Sequence, residues 1–501
     1  MSPSNKDGLP EPIAAFSNTY AQLPVHFFAR QNPVRVASPH LVKFNVALAK
    51  ELGLDIDAVE AEEAAALFAG SVIPVGAEPI AMAYAGHQFG NFVPQLGDGR
   101  AILLGEVLDQ NGIRRDIQLK GAGRTPFSRS GDGRAALGPV LREYLVSEAM
   151  HALGVPTTRA LAVTTTGEIV QRECLLPGAV LTRVAASHVR VGTFQYFAAH
   201  GDESAVKCLA DYVIDRHYPA AKETENPYFT LLDSVIDRQA FLIARWMQVG
   251  FIHGVMNTDN MAVSGETIDF GPCAFMDAYD PATVFSAIDQ FGRYAYGNQP
   301  HIAQWNLARL AETLLPFLDA RPERGVEIAG ELVSGFSARF ESYWLVGMRS
   351  KLGLYTEEEG DRELVQTLLN IMHKNAADFT LTFRRLCDAA ETEDADGDLH
   401  ALFAGPGGIE NWVTSWRLRL TRESAAPPVR ALSMRQVNPA FIPRNHRVEY
   451  ALTAAVGNSD FQAFDELLGV LARPYEDQQA LMFYADVPRP DERVFRTYCG
   501  T

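Results

Sequence analysis

The sequence changes character near residue 185, and this change limits the possible folds more than any other feature. Residues 81 to about 185 are rich in glycine turns and short β-type segments, whereas the chain past residue 190 shows mainly helical patterns. A run of strands followed by a run of helices favours an α+β fold over an alternating α/β fold. With 501 residues the chain is long enough for two lobes, and we expect a cleft between them.

Local patterns place several elements within this plan. "RAILLGEVL" (100–108) predicts a buried strand, and "RDIQLK" (115–120) alternates so that Lys120 points away from its apolar neighbours. A proline at the start and a glycine after the end predict a helix over 139–153. The segment 160–170 is typical of a hairpin.

Local patterns also predict elements in two segments outside the β-rich part. Residues from about 40 to 52 predict a helix, followed by another at about 57–69. The stretch from about 385 to 410 is rich in acidic residues and glycine, which favours an exposed loop.

The charge and cysteine content exclude several classes of protein. The net charge is 44 − 61 = −17, which argues against a general binder of nucleic acid or anionic membranes. Any phosphate-binding site must therefore be a local basic pocket. The five cysteines form no CxxC pair, so the sequence predicts neither a disulfide scaffold nor a zinc site. We also find no signal-type or membrane-spanning apolar run, and we expect a cytoplasmic protein.

A cluster of polar residues lies in "HGVMNTDNM" (253–261) and in "DFG" (269–271). A hairpin between these motifs would bring Asn260 and Asp269 to the same end of adjacent strands. An amide oxygen and a carboxylate are ligands that Mg²⁺ accepts when phosphates complete its shell. Asp259 could then accept a proton from an incoming hydroxyl. The alternative is that these side chains only cap a turn, and on this segment alone the two interpretations are about equally supported.

Residues upstream favour the chemical interpretation. "QLGDGRA" (95–101) offers Gly97 and Gly99 for close approach to a nucleotide, with Arg100 beside them. Lys120 ends a strand and Glu143 lies on the next helix, as in the ion pair that aims a lysine at phosphates in protein kinases. The order of these residues along the chain makes an ordinary solvated lysine the weaker alternative.

One feature departs from protein kinases. The catalytic Asp of a kinase stands in an H-R-D motif, with the metal-binding Asn five residues later. Here Asp259 is directly beside Asn260, and His253 is followed by glycine. Two extra arginines, Arg183 and Arg190, precede the helical part; solvent exposure or ion pairing is the usual fate of arginine.

These motifs together resemble the selenoprotein O family of kinase-like proteins. The similarity rests on sequences that lie along nearly the whole chain: "YAGHQFGNFVPQLGDGRA" (84–101), "QLKGAGRTPFSRSGDGRAAL" (118–137), "REYLVSEAMHALGVPTTRAL" (142–161), "HGVMNTDNM" (253–261) and "DFGPCAFMDAYDP" (269–281), with weaker matches at 438–446 and 473–478.

The resemblance implies a bilobal protein-kinase-like fold with a β-rich N-lobe and a mainly helical C-lobe. We therefore expect an N-terminal extension over 1–80, a nucleotide-binding lobe over 81–185, a catalytic helical lobe over 186–350 and a C-terminal helical elaboration over 351–501. It also implies transfer of AMP from ATP to Ser, Thr or Tyr hydroxyls of target proteins, with ATP held in a flipped orientation. We expect a monomer with neither nucleic acid nor membrane as partner.

The resemblance also implies roles for individual residues. Asp259 is the general base, and Asn260 and Asp269 bind Mg²⁺ or Mn²⁺. The nucleotide is expected to contact a set of glycines, cations and acids: Gly97, Gly99, Arg100, Lys120 paired with Glu143, Asp132, Gly133, Arg183, Arg190 and Asp269.

Two alternative functions and two interpretations of Cys499 stay open at this point. An ordinary phosphotransferase could use the same metal ligands and lysine, and a catalytically silent ATP-binding scaffold could keep the pocket without the reaction. Some relatives carry a selenocysteine near the C-terminus, so Cys499 could have a redox role, with Cys273 as one partner. A free thiol in the tail is the other interpretation.

Overall fold

A computed structural model describes residues 13–54, 59–403 and 409–498. Within these ranges the strands are β1 (Phe28–Arg30), β2 (His40–Phe44), β3 (Ile80–Met82), β4 (Gly86–Gln88), β5 (Asn91–Val93), β6 (Ala101–Leu108), β7 (Arg114–Lys120), β8 (Ala135–Ala136), β9 (Arg159–Gln171), β10 (Leu175–Ala185), β11 (Phe251–Ile252) and β12 (Ala274–Phe275). The α-helices are α1 (Val46–Glu51), α2 (Ala61–Phe68), α3 (Leu137–Ala152), α4 (Val191–Ala199), α5 (Glu203–His217), α6 (Pro227–Val249), α7 (Gln299–Leu318), α8 (Pro322–Ser334), α9 (Phe336–Lys351), α10 (Asp361–Asn375), α11 (Phe379–Glu391), α12 (Asp396–His400), α13 (Ile409–Leu420), α14 (Pro427–Arg435), α15 (Asn445–Asn458) and α16 (Gln462–Leu471). None of these helices is both long and apolar enough to span a membrane.

The main sheet is antiparallel and has the strand order β1-β3-β6-β7-β10-β9-β2, with β8 paired to β10. Helices dominate the chain after residue 190. The mixed α and β content predicted from the sequence is thereby confirmed. Strands β1 and β2 come from the predicted N-terminal extension but belong to this sheet, and the boundary at residue 80 stays a prediction.

The two faces of the sheet pack against different helices. Ile117 and Leu119 of β7 belong to one buried cluster, together with Phe68 of α2. Leu181 of β10 belongs to the other cluster, together with Leu141 of α3. Because side chains alternate along a strand, Lys120 lies on the face that α3 covers. The predicted alternation in β7 therefore sets the side of the sheet on which the functional site forms.

One predicted element was wrong and another was wrong in part. The first half of the expected helix over 40–52 is a strand from His40 to Phe44, because this segment pairs with β9, whereas the second half forms the short helix α1. The expected hairpin within 160–170 is one continuous strand, β9, whose partner is β10. Gly167 has a φ of +70° but lies inside this strand, near a register shift opposite Pro177, so the glycine marks an irregularity rather than a turn.

The predicted acidic loop at 385–410 was also wrong. Most of its described part is helical, in α11 and α12, and α13 begins at Ile409; residues 404–408 lie outside the described residues. The apolar face of α11 is buried and includes Phe383 and Leu386. Its acidic residues lie on the exposed side, so a pattern of surface charge was mistaken for a loop.

Strands β11 and β12 pair with each other and close the base of the segment 253–273. The predicted hairpin within this segment does not form a ladder of its own. Ala262 instead bridges to Arg190, and Thr267 bridges to Thr157, so each side of the turn is held by a different part of the chain. This arrangement fixes the positions of Asp259, Asn260 and Asp269.

Candidate active site

A cavity of about 760 Å³ lies where the sheet, the loop over 121–134 and the segment 255–271 meet. The predicted residues that line it are Gly97, Gly99, Arg100, Lys120, Asp132, Gly133, Arg183, Arg190, Asp259, Asn260 and Asp269. Glu143 is buried and is bonded to Lys120. The structure thus brings together residues that are up to 172 positions apart, from Gly97 to Asp269.

Three cations meet two carboxylates at one wall of this cavity. The Lys120 ammonium lies 2.6 Å from Glu143 Oε2 and 3.1 Å from Asp269 Oδ1. Arg183 donates to Glu143 Oε1 over 2.5 Å and also bonds Asp269, while a nitrogen of Arg190 lies 3.3 Å from Asp269 Oδ2. Arg183 and Arg190 are 2% and 3% exposed, so they are buried ion-pairing groups rather than solvated ones.

This cluster controls the ionisation of its acids. Burial raises the pKa of Asp269, but Arg183, Lys120 and Arg190 outweigh it and hold the pKa well below its usual range. The pKa of Glu143 is subject to the same burial and is also lowered overall by Arg183 and Lys120. Both acids are therefore carboxylates at neutral pH.

Asp259 lies in a different environment. Its Oδ2 accepts a hydrogen bond of 3.3 Å from Gln88, while its Oδ1 is buried and has no hydrogen-bond partner among the described residues. Burial raises the pKa of Asp259 to about 6, against the opposing effect of Arg190. A side chain added at Gly86 would meet Oδ1 at 2.5 Å, so this glycine makes room for the carboxylate. Asp259 thus lines a polar cavity with a carboxylate of raised pKa, one oxygen of which has no hydrogen-bond partner among the described residues, as suits a general base.

Asn260 and Asp269 supply oxygens that fit a hard divalent cation. The Asn260 amide nitrogen donates to the carbonyl of Val255 over 3.0 Å, which leaves the amide oxygen for a ligand. Asp269 has a φ of +63°, an uncommon conformation for a non-glycine residue and typical of functional turns. The described residues contain no group of three or more His, Cys, Asp or Glu side chains that could hold a metal. One amide oxygen and one carboxylate are donors of the kind taken by an ion such as Mg²⁺, which binds few protein ligands and shares substrate phosphates.

The predicted glycines have a structural role that the sequence did not reveal. A Cβ at Gly97 would lie 2.3 Å from the ring of Phe127, and one at Gly99 would lie 2.9 Å from the Phe127 carbonyl oxygen. Gly133 has a φ of +71°, and a Cβ there would meet the backbone of Gly123 at 2.2 Å. These glycines therefore let the loop over 121–134 pack closely against 97–99 and within itself.

Asp132 and Arg100 lie at the more open part of the cavity. Asp132 is exposed and pairs with Arg172, whose nitrogen lies 2.8 Å from Asp132 Oδ2. Arg100 is only partly buried.

Sequence reasoning missed Gln88, Tyr84 and Arg172 as individual site residues. Gln88 bonds the carboxylate of Asp259, and the Arg190 guanidinium stacks 4.6 Å above the ring of Tyr84. The only signal for the first two was their position within the long motif over 84–101. Contacts between segments far apart in the chain cannot be read from local spacing.

His253 and Asn257 shape the loop. His253 Nε2 lies 2.8 Å from the carbonyl oxygen of Ile268, and its ring stacks on Trp246. Asn257 Oδ1 accepts hydrogen bonds from the backbone of Phe89 and from Tyr294. Cys273 is buried, and Cys499 lies outside the described residues, so a pairing between them stays a prediction.

Known proteins match this chain over nearly its whole length. The family model described as "Protein adenylyltransferase SelO" matches residues 13–472. A protein named protein nucleotidyltransferase YdiU from Rhizobium johnstonii is 65% identical over 97% of both chains. Proteins of the same name from Rhizobium meliloti and Rhodopseudomonas palustris are 63% and 61% identical, each over 97% of this chain and 99% of their own length. The chain belongs to the SelO family of protein adenylyltransferases.

Proposed function

We propose that the protein transfers AMP from ATP to Ser, Thr or Tyr hydroxyls of other proteins. Family membership supports this reaction class. The observation that carries the proposal is that Asp259, whose carboxylate has no cationic partner at hydrogen-bond distance among the described residues, lines the same cavity as Lys120, Arg183 and Arg190. The proposal includes a bilobal kinase-like arrangement in which residues 81–185 bind the nucleotide and residues 186–350 supply the base.

The three cations are proposed to bind the triphosphate. In the described structure the three cations pair with Asp269, and two of them also pair with Glu143, so their positions are fixed. Phosphate oxygens would therefore bind beside cations that are already oriented. Arg183 and Arg190 are almost fully buried, and such cations bind phosphate strongly because little water competes with them. The glycines at 97, 99 and 133, with Arg100 and Asp132, are proposed to surround the rest of the nucleotide.

Asn260 and Asp269 are proposed to hold Mg²⁺ or Mn²⁺. When bound, this ion supplies neutralisation of the phosphate charge. Because the pKa of Asp269 is held low, its side chain is ionised, the form that binds a cation, across the physiological range.

The transfer step follows from the position of Asp259. The acceptor hydroxyl oxygen forms a bond to the α-phosphorus of ATP, and the bond from that phosphorus to the oxygen bridging to the β-phosphate breaks. Asp259 takes the hydroxyl proton, and pyrophosphate leaves with the electron pair of the broken bond. Arg183 and Arg190 are proposed to stabilise the charge that pyrophosphate gains.

Isotopic labelling of ATP at two positions tests this function. The protein is incubated with a mixture of candidate protein substrates and with ATP labelled either at the α- or at the γ-phosphate. AMP transfer places label from the α-position on protein and none from the γ-position. Label from the γ-position instead would identify a phosphotransferase. ATP binding without transfer of either label would identify a silent scaffold.

A further inference from the structure

A second cavity of about 620 Å³ adjoins the candidate active site. The two cavities share Phe89 and Ile288, so a chain lying in the second would pass directly beside the first. The rest of the second cavity comes from the loop that follows Ile288 and from the start of α7. We call this second cavity the acceptor groove. Phe89 and Ile288 form the wall that it shares with the candidate active site.

The shared wall is built on a strained turn. Phe89 and Gly90 have φ angles of +51° and +85°, and together they join β4 to β5 as a two-residue hairpin turn. Such turns normally use Asn, Asp or Gly at the position that Phe89 occupies, because a left-handed backbone is unfavourable for a bulky residue. The ring of Phe89 packs on Tyr294, with the ring centres 5.1 Å apart. A residue that has a strained backbone and lines two cavities points to a functional role.

The same hairpin connects the groove to the proposed base. Gln88, the residue before this turn, donates to the carboxylate of Asp259. The backbone N–H of Phe89 donates to Asn257, two residues before the base, over 3.1 Å. Any chain that lies against the turn is therefore close to the atoms that would act on its hydroxyl.

The outer rim of the groove is apolar. Phe291 is 96% exposed and Ile288 is 61% exposed, which is unusual for large apolar side chains lying so near each other in the chain. Their loop is nonetheless fixed in place. Asp289 accepts hydrogen bonds from the backbone of Arg293 and Tyr294, and the backbone N–H of Ala287 donates to the carbonyl of Thr497.

The lining of the groove includes an arginine, Arg293, that has no acidic partner among the described residues. The guanidinium of Arg293 stacks 4.9 Å from the ring centre of Trp305 and forms no ion pair with any residue that the structure describes. The neighbouring Arg309 does have one, with Glu312. Guanidinium groups pair strongly with carboxylates and phosphates, so Arg293, with no acidic partner among the described residues of this acidic chain, offers a site for a negative charge from outside.

We propose that the acceptor groove binds the segment of the target protein that carries the modified hydroxyl, and that it selects an acidic and an apolar residue beside that hydroxyl. Arg293 pairs with the acidic side chain, and Phe291 and Ile288 contact the apolar one. The occupant is an extended segment, because the groove is continuous with the catalytic cavity and the hydroxyl must cross the Phe89 wall to reach Asp259. This inference rests on the proposed AMP transfer.

Synthetic peptides with charge variants test the selection. Each peptide has one central Ser, Thr or Tyr, flanked either by Glu and Leu or by Lys and Ala. With α-labelled ATP, we expect the wild type to favour the Glu and Leu peptides by about tenfold in kcat/KM. Arg293→Glu should reverse the charge preference. Phe291→Ala should raise KM for the Leu peptides about fivefold while leaving kcat unchanged.

Two matched variants control for general effects of charge and truncation. Arg321→Glu changes an exposed arginine beyond the far end of α7, and Phe229→Ala truncates an exposed phenylalanine at the start of α6. Both should behave as the wild type. The affinity for ATP, measured by calorimetry, should be the same in all five proteins, since none of these residues is proposed to touch the nucleotide.

The outcomes separate this inference from the proposed function. If the wild type labels neither peptides nor proteins from α-labelled ATP, the proposed function fails, and this inference fails with it. If the wild type labels the peptides but Arg293→Glu leaves the order of preference unchanged, AMP transfer stands and the acceptor groove is overturned. The acceptor groove would also be overturned if Arg321→Glu changed the preference between the peptides as much as Arg293→Glu does.

Discussion

Arg183 Nε lies 2.5 Å from Glu143 Oε1, while the Lys120 ammonium lies 2.6 Å from the other oxygen of the same carboxylate. One buried acid therefore orients two cations at the wall of the cavity. A protein kinase uses the corresponding glutamate for its lysine alone. The second cation, Arg183, fits a site in which protein side chains neutralise more of the triphosphate charge.

This shared carboxylate predicts a large effect of Glu143→Gln. The substitution keeps the shape of the side chain but leaves two buried cations with one carboxylate fewer. Removing one partner of a buried pair costs about 3 kcal/mol, so we expect the free energy of unfolding to fall by about that amount. Denaturant titration followed by circular dichroism measures it. Glu327→Gln, which breaks an exposed pair with Arg324, is the control and should cost less than about 1 kcal/mol. Equal losses in the two variants would contradict the buried role.

Gly86→Ala tests how the base is positioned. The added Cβ would lie 2.5 Å from Asp259 Oδ1, so the carboxylate must shift. A displacement of about 1 Å can cost about a hundredfold in rate, and we expect kcat for AMP transfer to fall by at least about tenfold. ATP affinity should be retained. Gly138→Ala is the control, since its Cβ would make only an ordinary contact at 3.5 Å with Val456. Unchanged kcat in Gly86→Ala would argue against Asp259 as the base.

Gly133→Ala tests the packing of the loop over 121–134. Gly133 has a φ of +71° and no room for a Cβ, whereas Gly112 has a φ of +75° and no atom within 4 Å of the position that an added Cβ would take. Comparing the two alanine variants separates backbone strain from crowding. Gly112→Ala should cost about 1 kcal/mol of stability and leave ATP affinity unchanged. Gly133→Ala should weaken ATP binding by about tenfold or more, measured by calorimetry. Equal ATP affinity in both would show that the loop does not shape the nucleotide site.

Lys351 predicts a pH dependence of stability. It is 3% exposed, and burial lowers its pKa from 10.5 to about 7. Between these values the unfolded chain binds more protons than the folded one, so the free energy of unfolding rises with pH. From pH 7 to pH 9 this residue should add about 2 kcal/mol.

Lys351→Met removes this contribution without creating a cavity. The difference in stability between wild type and variant, measured by denaturant titration at several pH values, should shift in favour of the wild type as the pH rises from 7 to 9. Lys374→Met, at an exposed position, is the control for the loss of one lysine. If the difference in stability between wild type and Lys351→Met is constant from pH 7 to pH 9, the pKa of Lys351 is not lowered in the folded protein.

The parts of the fold that were predictable depended on local pattern. The alternation that put Lys120 opposite Ile117 and Leu119 is a property of one short strand, and the structure bears it out. The strand at 40–44 was not predictable, because its partner β9 begins only at Arg159, far along the chain. The irregularity at Gly167 was missed for the same reason: only the register with β10 distinguishes it from a turn.

The candidate site was likewise predictable only in part. That Asp259 and Asp269 lie in one cavity could be predicted, because their residue types and order match those of kinase-like sites; their roles stay a prediction. The distances that join them, and the choice of Arg183 and Arg190 as buried cations, depend on the tertiary fold. The unpaired oxygen of Asp259 and the room made by Gly86 could be seen only in the structure.

The most direct test of the central claim compares wild type with Asp259→Asn on α-labelled ATP, with ATP affinity measured on the same samples. The asparagine keeps the shape of the side chain but cannot accept the proton. The account predicts AMP transfer by the wild type, a rate about a hundred- to ten-thousandfold lower in the variant, and ATP affinity that is unchanged. Transfer at the wild-type rate by a folded, ATP-binding Asp259→Asn protein would contradict it.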